Sequence, residues 1–386
     1  MPTEIKNLKK TAKRIIKAVK NKERIIIYSD ADLDGAASAL ILKEAIQNLG
    51  GSIETLYFPD REKEGYGINK IALGFLKSKA PALLMLLDCG ITNFEEVKIA
   101  KELGFEVIII DHHEVLDKVP EASIVVDPKQ KGDNYPFKYF STTGLAYRLA
   151  QELLEGKLSQ KVKESFLELV ALATLADMMP EIDDNKTLIQ EGLKALEETF
   201  RPGLKIFWET GSIKKGSSPR EAVQTLISIF NAGQTKNHLN DTYLLLSSNS
   251  LEQAENLVKD LLEKSCQRQI RAREIKEEIE ERVFRKLEQE PIIFEGDESW
   301  LVAMGGNVAS KICQIYKKPV FLYSQKEKYS QGAVRTPYGV DSVLAMKSCS
   351  EHLENYGGHP QASGFRVKNE NLEKFKTCLI KYFKKL

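Results

Sequence analysis

Ile25-Ile26-Ile27-Tyr28-Ser29-Asp30-Ala31-Asp32-Leu33-Asp34-Gly35 decides how this chain is read. Four β-branched or aromatic residues in succession predict a strand buried on both faces. The carboxylates behind it, Asp30, Asp32 and Asp34, then alternate through a strand-to-loop turn, and Gly35 lets the following backbone approach closely. A helix is expected over 36–48, opening at Ala36. Two further strings repeat the arrangement. Leu83-Leu84-Met85-Leu86-Leu87 runs into Asp88, and Val107-Ile108-Ile109-Ile110 runs into Asp111-His112-His113. With a strand near 53–58 and helices over 68–78 and 93–103, the alternation is that of a mostly parallel sheet covered on both faces. In such sheets the working crevice lies beyond the carboxyl ends of the strands, so the three acidic strings are expected to converge.

Residues 141–199 read as mainly helical, with Asp177 directly behind the apolar stretch 169–176. Residues 211–220 read as a loop. The stretch 250–290, with Arg268, Arg271, Arg273, Glu274 and Lys276, reads as a long charged connecting helix rather than a core segment. Beyond Pro291, strands are expected at 300–304, 320–323 and 332–334, with a helix at 307–317. The fold class is therefore α/β: a mostly parallel domain over 1–200, a helical connector over 201–290 and a smaller mixed α/β domain over 291–386. The crevice between the two α/β domains is the expected substrate site.

Bulk composition narrows the classes. Of 386 residues, 42% are apolar and 29% charged, as in a globular protein. Basic and acidic side chains number 56 and 55, a balance that neither demands nor excludes nucleic acid. No stretch approaches the ~18 apolar residues of a membrane span. The segment 6–22 is basic and amphipathic but lacks the apolar core of a signal peptide. The five cysteines, Cys89, Cys266, Cys313, Cys349 and Cys378, form no CxxC pair, and their odd number suits a reducing compartment. A cytoplasmic location without membrane partners is the expectation. A Walker A loop, a GxGxxG fingerprint and a GxSxG elbow are all absent from the sequence.

Three carboxylates without a nearby lysine or arginine repel one another, and divalent cations remove that penalty. A surface turn or calcium-like loop is the alternative. His112 and His113 are two of only five histidines. One can bind metal while the other meets a phosphate oxygen, with Asp111 accepting an imidazole N–H. Asp177 is either a helix-end cap or a further ligand. Mixed oxygen and nitrogen donors suit manganese or magnesium, with zinc still open. Two ions sharing Asp88 would activate water and neutralise a phosphoryl oxygen. Cys89 reads as a small buried side chain, not a nucleophile.

These residues together resemble the DHH phosphoesterase superfamily, in its RecJ-like exonuclease branch. Asp111-His112-His113 is the namesake string, and Asp30-Ala31-Asp32-Leu33-Asp34-Gly35 has the branch's first-motif form. Pro59-Asp60-Arg61-Glu62-Lys63-Glu64-Gly65-Tyr66-Gly67 also resembles that branch. So does Phe230-Asn231-Ala232-Gly233 ahead of Asp241-Thr242-Tyr243, although Gln234 stands where the branch commonly has arginine. Gly306-Asn307-Val308-Ala309-Ser310, Gly332-Ala333-Val334-Arg335 and Gly357-Gly358-His359 resemble the associated DHHA1 domain. The resemblance implies a metal shell of Asp32, Asp34, Asp88, His112 and Asp177 around two divalent ions, manganese first and magnesium second. It implies catalytic roles for Asp88, His113 and Asp30, with His113 at the scissile phosphate. Arg61, Arg335, Gly357, Gly358 and His359 would bind substrate. The expected reaction is exonucleolytic hydrolysis of single-stranded DNA or RNA. A phosphodiesterase for short oligonucleotides or cyclic dinucleotides is the first alternative, with Phe137, Tyr139 and Tyr338 as stacking or packing residues. A replication-associated scaffold with little activity is the second. A replication or repair protein is an expected partner. The length beyond residue 367 leaves little sequence for the OB domain of bacterial RecJ, so a compact or archaeal-type form is expected.

Overall fold

A computed structural model describes residues 4–155, 157–214, 216–283 and 290–385. It divides into two compact units, Met1–Ser265 and Cys266–Leu386. The first runs α1 (Leu8–Lys20), β1 (Ile25–Ser29), α2 (Leu33–Asn48), β2 (Thr55–Tyr57), α3 (Lys70–Leu76), β3 (Ala82–Leu87), α4 (Phe94–Glu102), β4 (Phe105–Ile110) and β5 (Ile124–Val126). Helices α5 (Thr142–Leu153), α6 (Gln160–Ala176), α7 (Asp183–Glu197), α8 (Pro202–Glu209) and α9 (Pro219–Phe230) follow. A short hairpin, β6 (Thr235–Lys236) and β7 (Leu239–Asn240), leads to α10 (Asp241–Leu246) and the long α11 (Leu251–Val283).

Five parallel strands form the first sheet in the order β2-β1-β3-β4-β5. Period-two alternation serves both faces. Ile25 and Ile27 of β1, Leu83, Met85 and Leu87 of β3, and Ile108 and Ile110 of β4 enter one core. Ile26 and Tyr28, Leu84 and Leu86, and Val107 and Ile109 enter the other. The chain leaves β1 for β2 on one side and returns to β3 on the other. That reversal opens a crevice at the carboxyl ends of β1 and β3.

The second unit holds β8 (Ile293–Asp297), α12 (Val302–Tyr316), β9 (Val320–Gln325), β10 (Tyr329–Arg335), α13 (Ser342–Ser348), β11 (Leu353–His359), β12 (Ala362–Lys368) and α14 (Leu372–Phe383). Its sheet runs β11-β12-β10-β9-β8, antiparallel except for the β8–β9 pair. This is the mixed α/β arrangement expected.

Several local expectations need correction. Helix α2 opens at Leu33, because the Asp32 side chain accepts from Gly35 N and caps the helix three residues earlier than Ala36 suggested. Residues 300–304 are not a strand: Trp300 is buried in the second unit's core, and α12 begins at Val302. Gly357, Gly358 and His359 lie on a strand that was not foreseen. The charged helix ends its described part at Val283, and residues 284–289 lie outside the described residues. It does enter cores. Ala254, Val258 and Leu261 pack in the first unit, Ala272, Ile275 and Ile279 in the second, while i,i+4 ion pairs occupy its outer face. Cys349 and Cys378 form a disulfide, a pairing that the sequence did not suggest. Among the described residues no helix is long and apolar enough to cross a membrane.

Glu168 on α6 offers a stability test. Burial lifts its carboxyl from 4.5 to about 7, against the opposing pull of Thr199 and Arg201. Between those pH values the unfolded chain has released a proton that the folded chain still holds, so stability falls as pH rises across the window. The change should approach about 3 kcal/mol. Urea unfolding of Glu168→Gln at pH 4.5 and pH 7 should show that slope flattened; an unaltered slope would refute the assignment.

Candidate metal centre

Hydrogen bonds between strand ends set the frame. Asp30 N donates to Leu87 O at 3.2 Å, Asp88 N to Ile110 O at 3.0 Å and Asp111 N to Val126 O at 3.1 Å. Each acid behind β1, β3 and β4 is thereby stitched to the last residue of the next strand. Asp88 takes φ +59°, a left-handed conformation that side chains other than glycine seldom adopt. Gly35 is required for a different reason: a Cβ there would lie 2.1 Å from Asp30 O.

Asp34 is fully buried in the first turn of α2. Its carboxylate accepts from Thr142 N at 2.7 Å and Thr143 N at 2.8 Å, the first amides of α5. A helix amino terminus supplies partial positive charge to that group. Burial and neighbouring Asp177 nevertheless push the Asp34 carboxyl up to about 6. Burial, then the charges of Asp34 and Asp32, holds Asp88 well above the ordinary carboxylate range. Thr142 Oγ1 donates to Asp88 Oδ1 at 3.1 Å. Asp177 sits at the C-cap of α6, so the capping reading and the site reading coincide.

His112 carries the test of metal fit. Its Nδ1 lies 2.8 Å from the Phe140 carbonyl, which can only accept, so Nδ1 bears the proton. The opposite nitrogen, Nε2, faces Asp177 Oδ2 at 3.2 Å, Asp88 Oδ1 at 3.3 Å and Asp34 Oδ2 at 3.6 Å. A neutral lone pair facing three carboxylates is repulsive, so the cluster calls for positive charge at this point, supplied by a proton on Nε2 or by a divalent cation. Burial alone would lower the imidazole's pKa, but Asp177, Asp88 and Asp34 hold it well above the ordinary value. Such buried oxygen and imidazole donors fit a divalent cation.

Asp34, Asp88, His112 and Asp177 each bring a ligand atom within 4.8 Å of the others. So do Asp30, Asp32 and Asp88, and likewise Asp88, Asp111 and His113. Asp88 belongs to all three groups. His113 Nδ1 stands 2.7 Å from Asp111 Oδ1. Burial would raise Asp111, but His113 draws it well below the usual range.

The sequence had suggested no basic group near the first acidic string, and this is wrong. Arg61 pairs with Asp30 through two contacts and with Asp32 Oδ2 at 2.9 Å. Burial lifts Asp30, and Arg61 opposes that rise, whereas for Asp32 Arg61 and the Gly35 amide outweigh burial and lower it. Arg61 thus joins the acidic cluster. Sequence reasoning also missed Tyr66, whose hydroxyl donates to Asp88 O at 3.2 Å and meets the His113 ring. It missed Thr142, Thr143 and the Phe140 carbonyl as well. Asn240 reaches Ala31 O at 3.2 Å, which brings the 230–246 segment to the first motif. Cys89 is buried as expected, and Phe137 is a packing residue.

In the second unit Arg335 and His359 share a register row, because both lie opposite Ala362 of the intervening strand. Residues in one row project on one face. The Arg335 guanidinium lies against Gly306, where a Cβ would come within 2.8 Å of Nη2, and donates to Ser310 Oγ at 3.1 Å. Gly358 has φ +128°, and a Cβ there would meet Ala362 O at 2.6 Å. Three separated sequence strings therefore meet at one end of the sheet.

Residues 24–174 match the DHH family, N-terminal domain, and residues 289–385 match the DHHA1 domain. The single-stranded-DNA-specific exonuclease RecJ of Bacillus subtilis strain 168 is 33% identical over 382 residues. The chain belongs to the DHH/DHHA1 superfamily, in its RecJ-like branch. The Bacillus alignment takes in 98% of this chain and 48% of the relative. RecJ of Thermus thermophilus is 29% identical, over 98% of this chain and 54% of its own length. The chain thus spans about half the length of these curated relatives. A crystal structure of exonuclease RecJ bound to manganese superposes with a TM-score of 0.76 at 27% identity, over 99% of this chain and 96% of that one.

Manganese should raise the melting temperature of the wild-type chain by several degrees at about a hundredfold excess over Kd, where linkage gives about 2.7 kcal/mol. Asp88→Asn removes charge from the three groups that contain it and should lose most of that shift in a thermal melt. An undiminished shift would refute the shared-ligand assignment.

Proposed function

We propose that this chain is a divalent-metal-dependent phosphodiesterase that removes nucleotides from one end of single-stranded DNA or RNA. The observation that carries the reading is the position of Asp88, shared by three groups of candidate ligands, one of which includes His112. The manganese-bound RecJ structure supports manganese as the cation. Asp32, Asp34, Asp88, His112 and Asp177 would hold two ions, with Asp30 orienting the set. Bound there, divalent cations supply Lewis-acid stabilisation of the phosphoryl oxygens and acidify water.

The remaining work belongs to the chain's own groups. Thr142 and Thr143 hold Asp34, and Phe140 fixes the His112 tautomer, so neither need reorganise when substrate arrives. Asp111 and Tyr66 orient His113. The His113 ring so held would meet a non-bridging oxygen of the scissile phosphate. Arg61 offers a cationic contact to the phosphate. Arg335, His359 and the Gly357-Gly358 backbone form the substrate-binding row of the second unit, suited to a phosphate or sugar-phosphate group.

The deciding experiment incubates pure protein and manganese with single strands of DNA and RNA, from dinucleotides to long oligomers, labelled at either end. Stepwise loss from one end is expected and would give the polarity. Cleavage confined to the shortest strands would transfer the assignment to an oligonucleotide phosphodiesterase, and no cleavage at all would refute hydrolysis. His113→Ala should lower kcat by about a hundredfold or more while retaining the manganese-induced melting shift, because general acid–base and charge-stabilising contacts are worth about that much. Arg335→Ala should raise KM by about tenfold or more, the scale of a lost charged hydrogen bond, with the melting shift unchanged. An unchanged KM would refute its substrate role.

A further inference from the structure

Helix α1 takes no part in the candidate metal centre, yet it concentrates charge of one sign. Lys6 lies just ahead of it, and within it the pair Lys9 and Lys10 is followed by Lys13, Lys17 and Lys20 at intervals of three and four. At about 100° per residue they fall within an arc of about 100°. The opposite face, Leu8, Ala12, Ile15 and Ala18, is buried in the first unit's core. Lys9, Lys10, Lys13, Lys17 and Lys20 are exposed. The helix contains no acidic residue. Lys9 pairs with Glu4, and Glu23 lies in the field of Lys17 but is held by Arg14. Lys10, Lys13 and Lys20 have no carboxylate partner among the described residues. The other long charged helix, α11, differs in this respect, since its cations are matched by i,i+4 acids. In a chain of net charge +1 this is a local excess, not a reflection of composition.

Its placement gives the excess a direction. Lys6 Nζ donates to Lys131 O, and Asn7 Nδ2 donates to Val125 O, both at 2.7 Å. The next carbonyl, Val126 O, receives Asp111 N. The amino-terminal end of the lysine row therefore abuts the sheet edge that carries Asp88, Asp111 and His113. From there α1 runs to the opposite edge, where the 21–24 turn enters β1. From Lys9 to Lys20 the row is about 17 Å long at roughly 1.5 Å per residue, with one or two lysines per turn. That length matches several consecutive phosphates of a nucleic-acid strand. An anionic membrane is the poorer fit, because the apolar face that would insert is already buried.

We infer that the exposed lysine row of α1 is a second binding site for the sugar-phosphate backbone, holding a single strand beyond the nucleotides engaged at the metal centre. The inference rests on the proposed function for the identity of the polyanion. It adds a site that would separate long from short substrates.

The test replaces four lysines together, Lys10→Gln, Lys13→Gln, Lys17→Gln and Lys20→Gln. A charge-matched control replaces Lys98, Lys161, Lys194 and Lys259 with glutamine on other helices. Matching thermal melts establish folding. Fluorescence anisotropy without divalent cations then reads the affinity for a strand of about 24 nucleotides across a salt series, independently of hydrolysis. The row variant should bind about tenfold or more weakly, and its salt slope should flatten by about 0.7 per lysine, about 3 in all. The control should behave as wild type. Turnover of a tetranucleotide with manganese should be the same for all three proteins. An unchanged slope, or equal losses in row variant and control, overturns the inference. So does a row variant that loses binding to vesicles of anionic phospholipid while keeping strand binding. Failure of all proteins to hydrolyse any strand, with the row-dependent binding intact, would refute the proposed reaction and leave the lysine site standing.

Discussion

Gathering Asp30, Asp34 and Asp88 in buried positions, with Asp32 and Asp177 beside them, is the constraint on which the first unit is built. Removing like charges from water together is unfavourable by many kcal/mol unless positive charge accompanies them. Three devices of the fold meet that demand. Arg61 neutralises the outer pair, the amino terminus of α5 receives Asp34, and His112 faces the remaining group. None is adjacent in sequence to the acid it serves. The sheet exists to bring them together, and its alternating Ile, Leu and Val residues supply two cores that hold the strand ends rigid.

That division of labour explains what could be read from the residues alone. The strands ending in Asp30, Asp88 and Asp111 were legible because buried parallel strands are continuous apolar runs, and an acid just behind such a run is conspicuous. Asp177 was legible only as an alternative, since a helix-end acid has an ordinary capping role. The Phe140 carbonyl and the Thr142 and Thr143 amides were not legible, because backbone groups leave no residue-type signal. Arg61 was expected at substrate and lies against Asp30 and Asp32, a contact across 31 and 29 residues that local spacing does not report.

The second unit shows the converse. Its strands β11 and β12 are half-exposed and carry glycine and polar residues that mask their period. The strongly apolar 300–304 segment looked like a strand, yet Trp300 and Met304 both serve the core at the start of a helix. The strands near 320–323 and 332–334 and the helix over 307–317 were legible, and the glycine-rich strings added the resemblance. Their common purpose emerges from register, which sets Arg335 and His359 on either side of Ala362.

Gly35 has no functional group, but the backbone of α2 passes so near Asp30 O that a single methyl would occupy the same space. The separation between the backbones of the first and third aspartates of the string is thus fixed by main chain against main chain. It follows that position 35 is as diagnostic of this centre as the acids around it. A distant homologue that keeps every aspartate but bears any side chain at this position must route its main chain differently, and its ligand geometry cannot be inferred by alignment.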